Sequence, residues 1–308
     1  MTTLRFIALK LGGALLTLFL AVSLAFFISR LSGDPTTQIL GGLATQDQIA
    51  AKQAELGLDR PLLSQYWTFI TDLLQFDLGR SLRFNRGNWE VIQSRIMASF
   101  LLAGSAMVLG VVFGVPLGMY AAAREGKRGD RIASAIAVLG QSMPVFWLGM
   151  VLVLVFSVRL GWFPAGQSGT WKHLVLPAVS LSTIPMARVT RLTRSSMSEV
   201  LEEPYIAAAR ARGLGGRAVM FGHALKNSAL PVITLIGLQA GTLLSGAVTV
   251  EAVFAWPGLG SLATQAVQFR DAPLVQALVI VGAVAFVAIN LVIDLLYGLI
   301  DPRIRDAA

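Results

Sequence analysis

The chain has 308 residues, 55% of them apolar and only 14% charged, with a mean hydropathy of +0.69 and a formal net charge of +8. That balance excludes a soluble globular protein and makes the bilayer the expected solvent, with no nucleic acid as partner. Cysteine is absent, which excludes a disulfide framework and thiol or cysteine–metal chemistry.

Cutting the chain at its charges leaves uncharged runs at 11–29, 96–123, 132–158, 173–187, 227–250 and 272–293. Five reach the roughly 18–20 residues that a helix needs to cross about 30 Å of hydrocarbon. The run 173–187 is shorter and carries Pro177 and Pro185, so it spans only by extending toward Arg191 with its arginines snorkelling. The first run follows a basic start, as in a signal peptide, but it is long and lacks a small-x-small cleavage site before Gly33, so it reads as a retained span.

Taking the elements in chain order, residues 1–31 form the N-terminal end and first span. Residues 32–95 form an external region, in which "TQDQIAAKQAELG" and "LDRPLLSQYWTFITDLLQFDLGRSL" repeat apolar residues at helical spacing and predict short amphipathic helices. Residues 96–308 hold the remaining five spans and a long loop at 195–228. With the N-terminus inside, the inner segments hold fifteen cations and seven acids, and the outer segments ten and nine. The excess of Lys and Arg in the short inner loops sets the orientation as N-in and C-in. The fold class is therefore all-α, a polytopic membrane protein with six transmembrane helices.

The loop at 195–228 contains the sharpest local signal. Glu202, Glu203 and Pro204 are helix-start residues, Ala207, Ala208 and Ala209 favour helix, and Gly213 is a natural stop. Leu214, Gly215 and Gly216 reverse the chain, and a second helix over 217–227 leads into Pro231 and the fifth span. An alanine-surfaced helix lets another protein approach closely. The same chemistry equally describes an ordinary interfacial helix.

Other candidates carry less. Asn290 and Asp294 share a helix face and form a possible intramembrane polar site, or a structural contact near the helix end. Arg188, Arg191 and Arg194 stay near one side of the fourth span and anchor its inner end, with a gate or contact role as the alternative. Residues 251–271, with Trp256, Pro257 and Gly258, read as an external re-entrant turn and short helix. His173 and His223 lack partners at metal-ligand spacing. Neither a Gly-x-Ser-x-Gly nor a His-Glu-x-x-His pattern occurs, so no catalytic site and no metal site are expected. The one Gly-Lys pair, Gly126-Lys127, has Ala121 where a phosphate loop needs Gly and Arg128 where it needs Ser or Thr.

The stretch Ala207-Ala208-Ala209-x-x-x-Gly213 resembles the EAA loop of permease subunits of ABC importers, with Ala207 in place of the usual Glu and Lys226 where Pro is usual. Those departures, with "LGLDRPLLSQYWTFITDLLQFDLGRSL", "EAVFAWPGLGSLATQAVQFRDAPLVQ" and "NLVIDLLYGLIDPRIR", make nearly the whole chain similar to the B-type permeases of the dipeptide, oligopeptide and nickel family. The resemblance implies a type I importer permease of the bacterial inner membrane, itself non-catalytic. Its coupling helix, here Tyr205, Ala207, Ala208, Ala209, Arg210, Arg212, Gly213 and Leu214, would dock a separate ATPase. The implied partners are a C-type second permease subunit forming a heterodimer, two ATP-binding domains or subunits, and an extracytoplasmic substrate-binding protein. No cofactor is expected in this chain, ATP and magnesium being held by the ATPases. The implied substrates are di- and oligopeptides, with nickel chelates and glutathione as alternatives. From another class stands an ion-coupled secondary transporter using Asp294.

Overall fold

A computed structural model of the chain describes residues 3–31, 36, 45–55 and 57–300. Helices account for most of them, and among the described residues the only β pairing is one isolated bridge between Arg80 and Gly87. The chain divides into two compact units, Met1–Met97 with Ser261–Ala308, and Ala98–Gly260.

In the first unit, α1 (Thr3–Leu31) packs along the last helix, α11 (Ala272–Ile300). Residues 45–74 hold the two short helices that their periodicity predicts, α2 (Gln46–Glu55) and α3 (Leu62–Leu74). Pro61 stands at the N-cap of α3, where its missing N–H removes no helical bond. Phe26 of α1, 1% exposed, stacks on Phe69 and meets Tyr66 edge-on, and Ser23 shares a 2.7 Å hydrogen bond with the Tyr66 hydroxyl. The buried carboxylate of Asp271 accepts the Ser81 hydroxyl, the Arg83 amide and the first-turn amide of Leu274, so one side chain caps α11 and holds the 81–83 turn.

The second unit takes most of α4 (Asn88–Ala122), then α5 (Arg128–Ser142), α6 (Val145–Leu152) continuing as a π-helix over Val153–Arg159, α7 (Trp171–Leu201), α8 (Pro204–Ala211), α9 (Leu225–Val253) and the start of α10 (Leu259–Gln268). Helix α7 is its centre, with fourteen buried residues that include Ser180, Ser182, Thr190, Thr193, Ser196 and Ser198. Small side chains on α7 allow close helix approach, as packing within a membrane requires. Opposite it on α4, Gly110, Gly114 and Gly118 recur every fourth residue. A Cβ on Gly114 would stand 2.9 Å from the Met186 carbonyl oxygen, and one on Gly118 2.6 Å from that of Thr190.

Among the described residues, four helical stretches are long and apolar enough to cross a membrane: Lys10–Arg30, Asn88–Ala122, Gly216–Leu243 and Ala272–Ile293. The pair Arg128–Ser142 and Val145–Arg159 supplies a fifth if its limbs, bent by 100°, make one span. The helix expected to span over 132–158 is therefore interrupted. Pro144 has no N–H to give and forces Met143 into an extended conformation (ψ 129°), so the helix must stop and restart. Helix α7 has the length for a sixth span but is too polar to qualify by composition. The second loop helix is likewise not separate. From Gly216 a single turn and a π-helical stretch, Val219–Ala224, run straight into α9.

Candidate functional site

Helix α8 lies where the alanine run and its boundaries predict, over Pro204–Ala211. Proline occupies its first turn, and Arg212 and Gly213 close it. Gly213 takes φ +87°, its amide donates to the Arg210 carbonyl, and the Leu214 amide donates 3.3 Å back to Ala209. This pair of reversed bonds is a Schellman cap, and its left-handed residue is the position that glycine fills without strain.

The sides of α8 differ in role. Ile206 (0% exposed) and Ala209 (8%) face inward and seat the helix on its own unit. Tyr205, Ala207, Ala208, Arg210, Arg212, Gly213 and Leu214 are exposed. Tyr205 also accepts a 2.6 Å hydrogen bond from Asn227 at the start of α9, tying the short helix to the span that follows. The outcome is an open, small-residue face flanked by two guanidinium groups. Ala209, grouped with the docking residues by sequence, serves as its inner anchor.

The arginine row is more than a snorkelling anchor. Arg194 makes two bonds to Asp130 at the start of α5, 2.5 and 2.8 Å long, and lies 3.7 Å from Glu125. Arg191 reaches Gln141 Oε1 and Arg188 reaches Gln239 Oε1, each at 3.1 Å. Three successive arginines thus join α7 to α5 and α9. The Arg194 hydrogen bonds hold the Asp130 carboxyl at about 2, well below its ordinary 3.8, with the Gly126 amide helping and burial opposing. Asp130 stands in the first turn of α5, two residues before the uncharged run that begins at Ile132.

Asp130→Asn is expected to destabilise the chain at neutral pH. With 32% of the Arg194 side chain still exposed, the stabilisation lost at neutral pH is about 2 kcal/mol, less than for a fully buried pair. Because the folded value is depressed, the contribution is present above about 3.8 and disappears as pH falls toward about 2. Thermal unfolding of the purified chain should show a wild-type advantage at pH 7 that closes over that acid window.

At the opposite end of the unit, Glu251 is 1% exposed and its carboxylate accepts the Ser99 hydroxyl at 2.6 Å. The same Ser99 oxygen accepts the Leu259 amide, while the Trp256 indole N–H donates to the Ala98 carbonyl. A Cβ on Gly258 would strike the Glu251 carboxylate, so glycine is required for the turn to close over it. The predicted turn and short helix are present, held by a buried acid that the sequence left unassigned.

His173 accepts the Thr170 amide in a capping box at the start of α7. Among the described residues no His, Cys, Asp or Glu group could hold a metal ion. Asn290 donates to the Phe286 carbonyl of its own helix at 2.8 Å, and the side chain of Asp294 lies outside the described residues.

The fold matches that of ABC importer membrane subunits. The inward-facing MetNI methionine ABC transporter, in its SeMet soak crystal form, superposes with a TM-score of 0.58 at 18% identity over 68% of this chain and 96% of its own. An amino acid ABC transporter crystallised with histidines gives 0.52 at 18% identity over 70% and 94%. In sequence, the glutathione transport system permease protein GsiC of Escherichia coli O6:H1 (strain CFT073) is 42% identical over 303 residues, 98% of this chain and 99% of its own. GsiC of Salmonella choleraesuis is 41% identical over the same length. The fold and this likeness define a non-catalytic permease subunit of an ABC importer, a protein of the inner membrane. Residues 114–306 match the binding-protein-dependent transport system inner membrane component and residues 3–103 its N-terminal component, and the chain belongs to that family.

Proposed function

We propose that this permease imports short peptides, the tripeptide glutathione included, and that the exposed face of α8 is where a separate ATPase docks. The observation that carries the docking reading is the asymmetry of α8. Ile206 and Ala209 fix it to its own unit, while Ala207 and Ala208 present no side chain long enough to hold a partner away. The substrate reading rests on relatives 41–42% identical over nearly the full chain whose names specify glutathione transport.

In this reading both termini and the 195–228 loop are cytoplasmic, and α7 completes six spans because its polar residues face protein rather than lipid. The remaining subunits are a C-type permease partner, two ATP-binding domains that hold ATP and magnesium, and an external binding protein that selects the substrate. The test is uptake of labelled glutathione and of dipeptides into proteoliposomes carrying the reconstituted complex. Uptake should require ATP and the binding protein and should survive collapse of the proton gradient. Uptake that stops with the gradient at constant ATP, together with an Asp294→Asn variant that inserts correctly but is inactive, would instead favour the ion-coupled reading through Asp294.

A further inference from the structure

Beside α8 lies a groove of about 800 Å³ that shares only Arg210 with the residues assigned to docking. Its floor is apolar, formed by Pro116 and Met119 of α4 with Met220 and Phe221 of the π-helical stretch before α9. Its rim is cationic, set by Arg124, Lys127, Arg210 and Arg217. Two acids, Glu125 and Glu202, also line it, and Glu125 is already engaged 3.7 Å from Arg194. Ser198, 8% exposed, lines the groove with a buried hydroxyl that has no hydrogen-bond partner.

The position of this groove along α4 points to its occupant. The spanning helix ends at Ala122, so Pro116, Met119 and Tyr120 belong to its last two turns, and Arg124 and Lys127 follow just beyond. The Arg124 guanidinium sits over the Tyr120 ring, 4.1 Å from its centroid, an amphipathic pairing suited to the boundary of the hydrocarbon. An apolar floor at the end of a span, under a cationic rim, complements a molecule with an acyl chain and an anionic head. Basic pockets between membrane helices hold phosphate head groups by this arrangement.

We propose that the groove binds an anionic phospholipid, its phosphate between Arg124, Lys127 and Arg217 and its upper acyl chain against Met119, Met220 and Phe221. Because Arg210 of α8 shares the rim, a bound lipid braces the short helix against α4 and α7. The proposal concerns lipid retention, so it stands or falls separately from ATPase docking.

The test uses the full chain extracted from vesicles of equal parts phosphatidylglycerol and phosphatidylcholine, with bound lipid measured by native mass spectrometry. Wild type should retain phosphatidylglycerol roughly tenfold over phosphatidylcholine, and Arg124→Gln combined with Lys127→Gln and Arg217→Gln should remove that preference. Ala123→Phe fills the groove from an exposed position without altering charge and should lower retention of phosphatidylglycerol as well. If the triple variant does not fold, Ala123→Phe decides alone. Equal retention of the two lipids, retention unchanged in both variants, or displacement by excess inorganic phosphate would overturn the lipid assignment, the last making this a site for soluble anions.

Discussion

Ala208→Asp is expected to release the ATPase subunits from the permease, lowering their affinity about a hundredfold, while leaving membrane insertion and the fold of the chain intact. Ala208 is exposed on α8 with nothing of its own chain to offend, so the substitution is harmless to the isolated subunit. In a closely fitted cleft the new carboxylate would be buried without a partner, and about 3 kcal/mol of lost binding is a conservative figure for that. Gly213→Val tests the same site by another route. No atom lies within 4 Å of the position a Cβ would take, so the substitution acts only through the backbone. At φ +87° a β-branched residue is disfavoured by about 1–2 kcal/mol, enough to unwind the Schellman cap and misdirect α8. Ala50→Asp, at an exposed position of α2, is the control and should spare ATPase binding. Co-purification of the ATPase subunits and substrate-stimulated hydrolysis are the readouts. If Ala208→Asp and Gly213→Val both match wild type, α8 is an ordinary interfacial helix.

What the sequence made legible was governed by local chemistry. Helix α8, its proline start, its glycine stop and the short helices α2 and α3 depend on residues close in the chain, and they lie where periodicity and capping place them. The break at Pro144 was also local, but it was hidden inside a run of apolar residues long enough to pass for one straight span. What could not be read was pairing between distant segments. Nothing near Arg194 names Asp130, 64 residues earlier, as its partner, and nothing near Glu251 names Ser99. The division of α8 into an inward Ala209 and an outward Ala208 was similarly invisible, because adjacent alanines are identical until the helix is set against its neighbours. The glycine row on α4 is different, since spacing by four is a legible sign of close helix packing even where the partner is unknown.

That row supports the other large effect, Gly118→Val, which should destabilise the permease by about 3 kcal/mol or prevent its accumulation. Three glycines at 110, 114 and 118 lie on one side of α4, and α7 comes close enough that backbone meets backbone. Thr190 donates its hydroxyl to the Gly114 carbonyl at 3.2 Å, a bond that depends on this approach. At Gly118 an added Cβ would lie 2.6 Å from both the Thr190 carbonyl oxygen and the Thr193 Cβ, and 3.1 Å from the Arg194 amide nitrogen. A flexible side chain could swing aside, but two of those three atoms are main chain of a rigid helix. Relief therefore requires α4 and α7 to separate, which would also strain the Thr190 bond and the neighbouring link from Arg194 to Asp130. Gly104→Val is the matched control on the same helix, since its Cβ would meet nothing within 4 Å. In thermal unfolding of detergent-purified protein, Gly118→Val should melt far below wild type or fail to yield folded protein, and Gly104→Val should melt near it. Equal melting of the two variants would mean that α4 and α7 do not pack through this row.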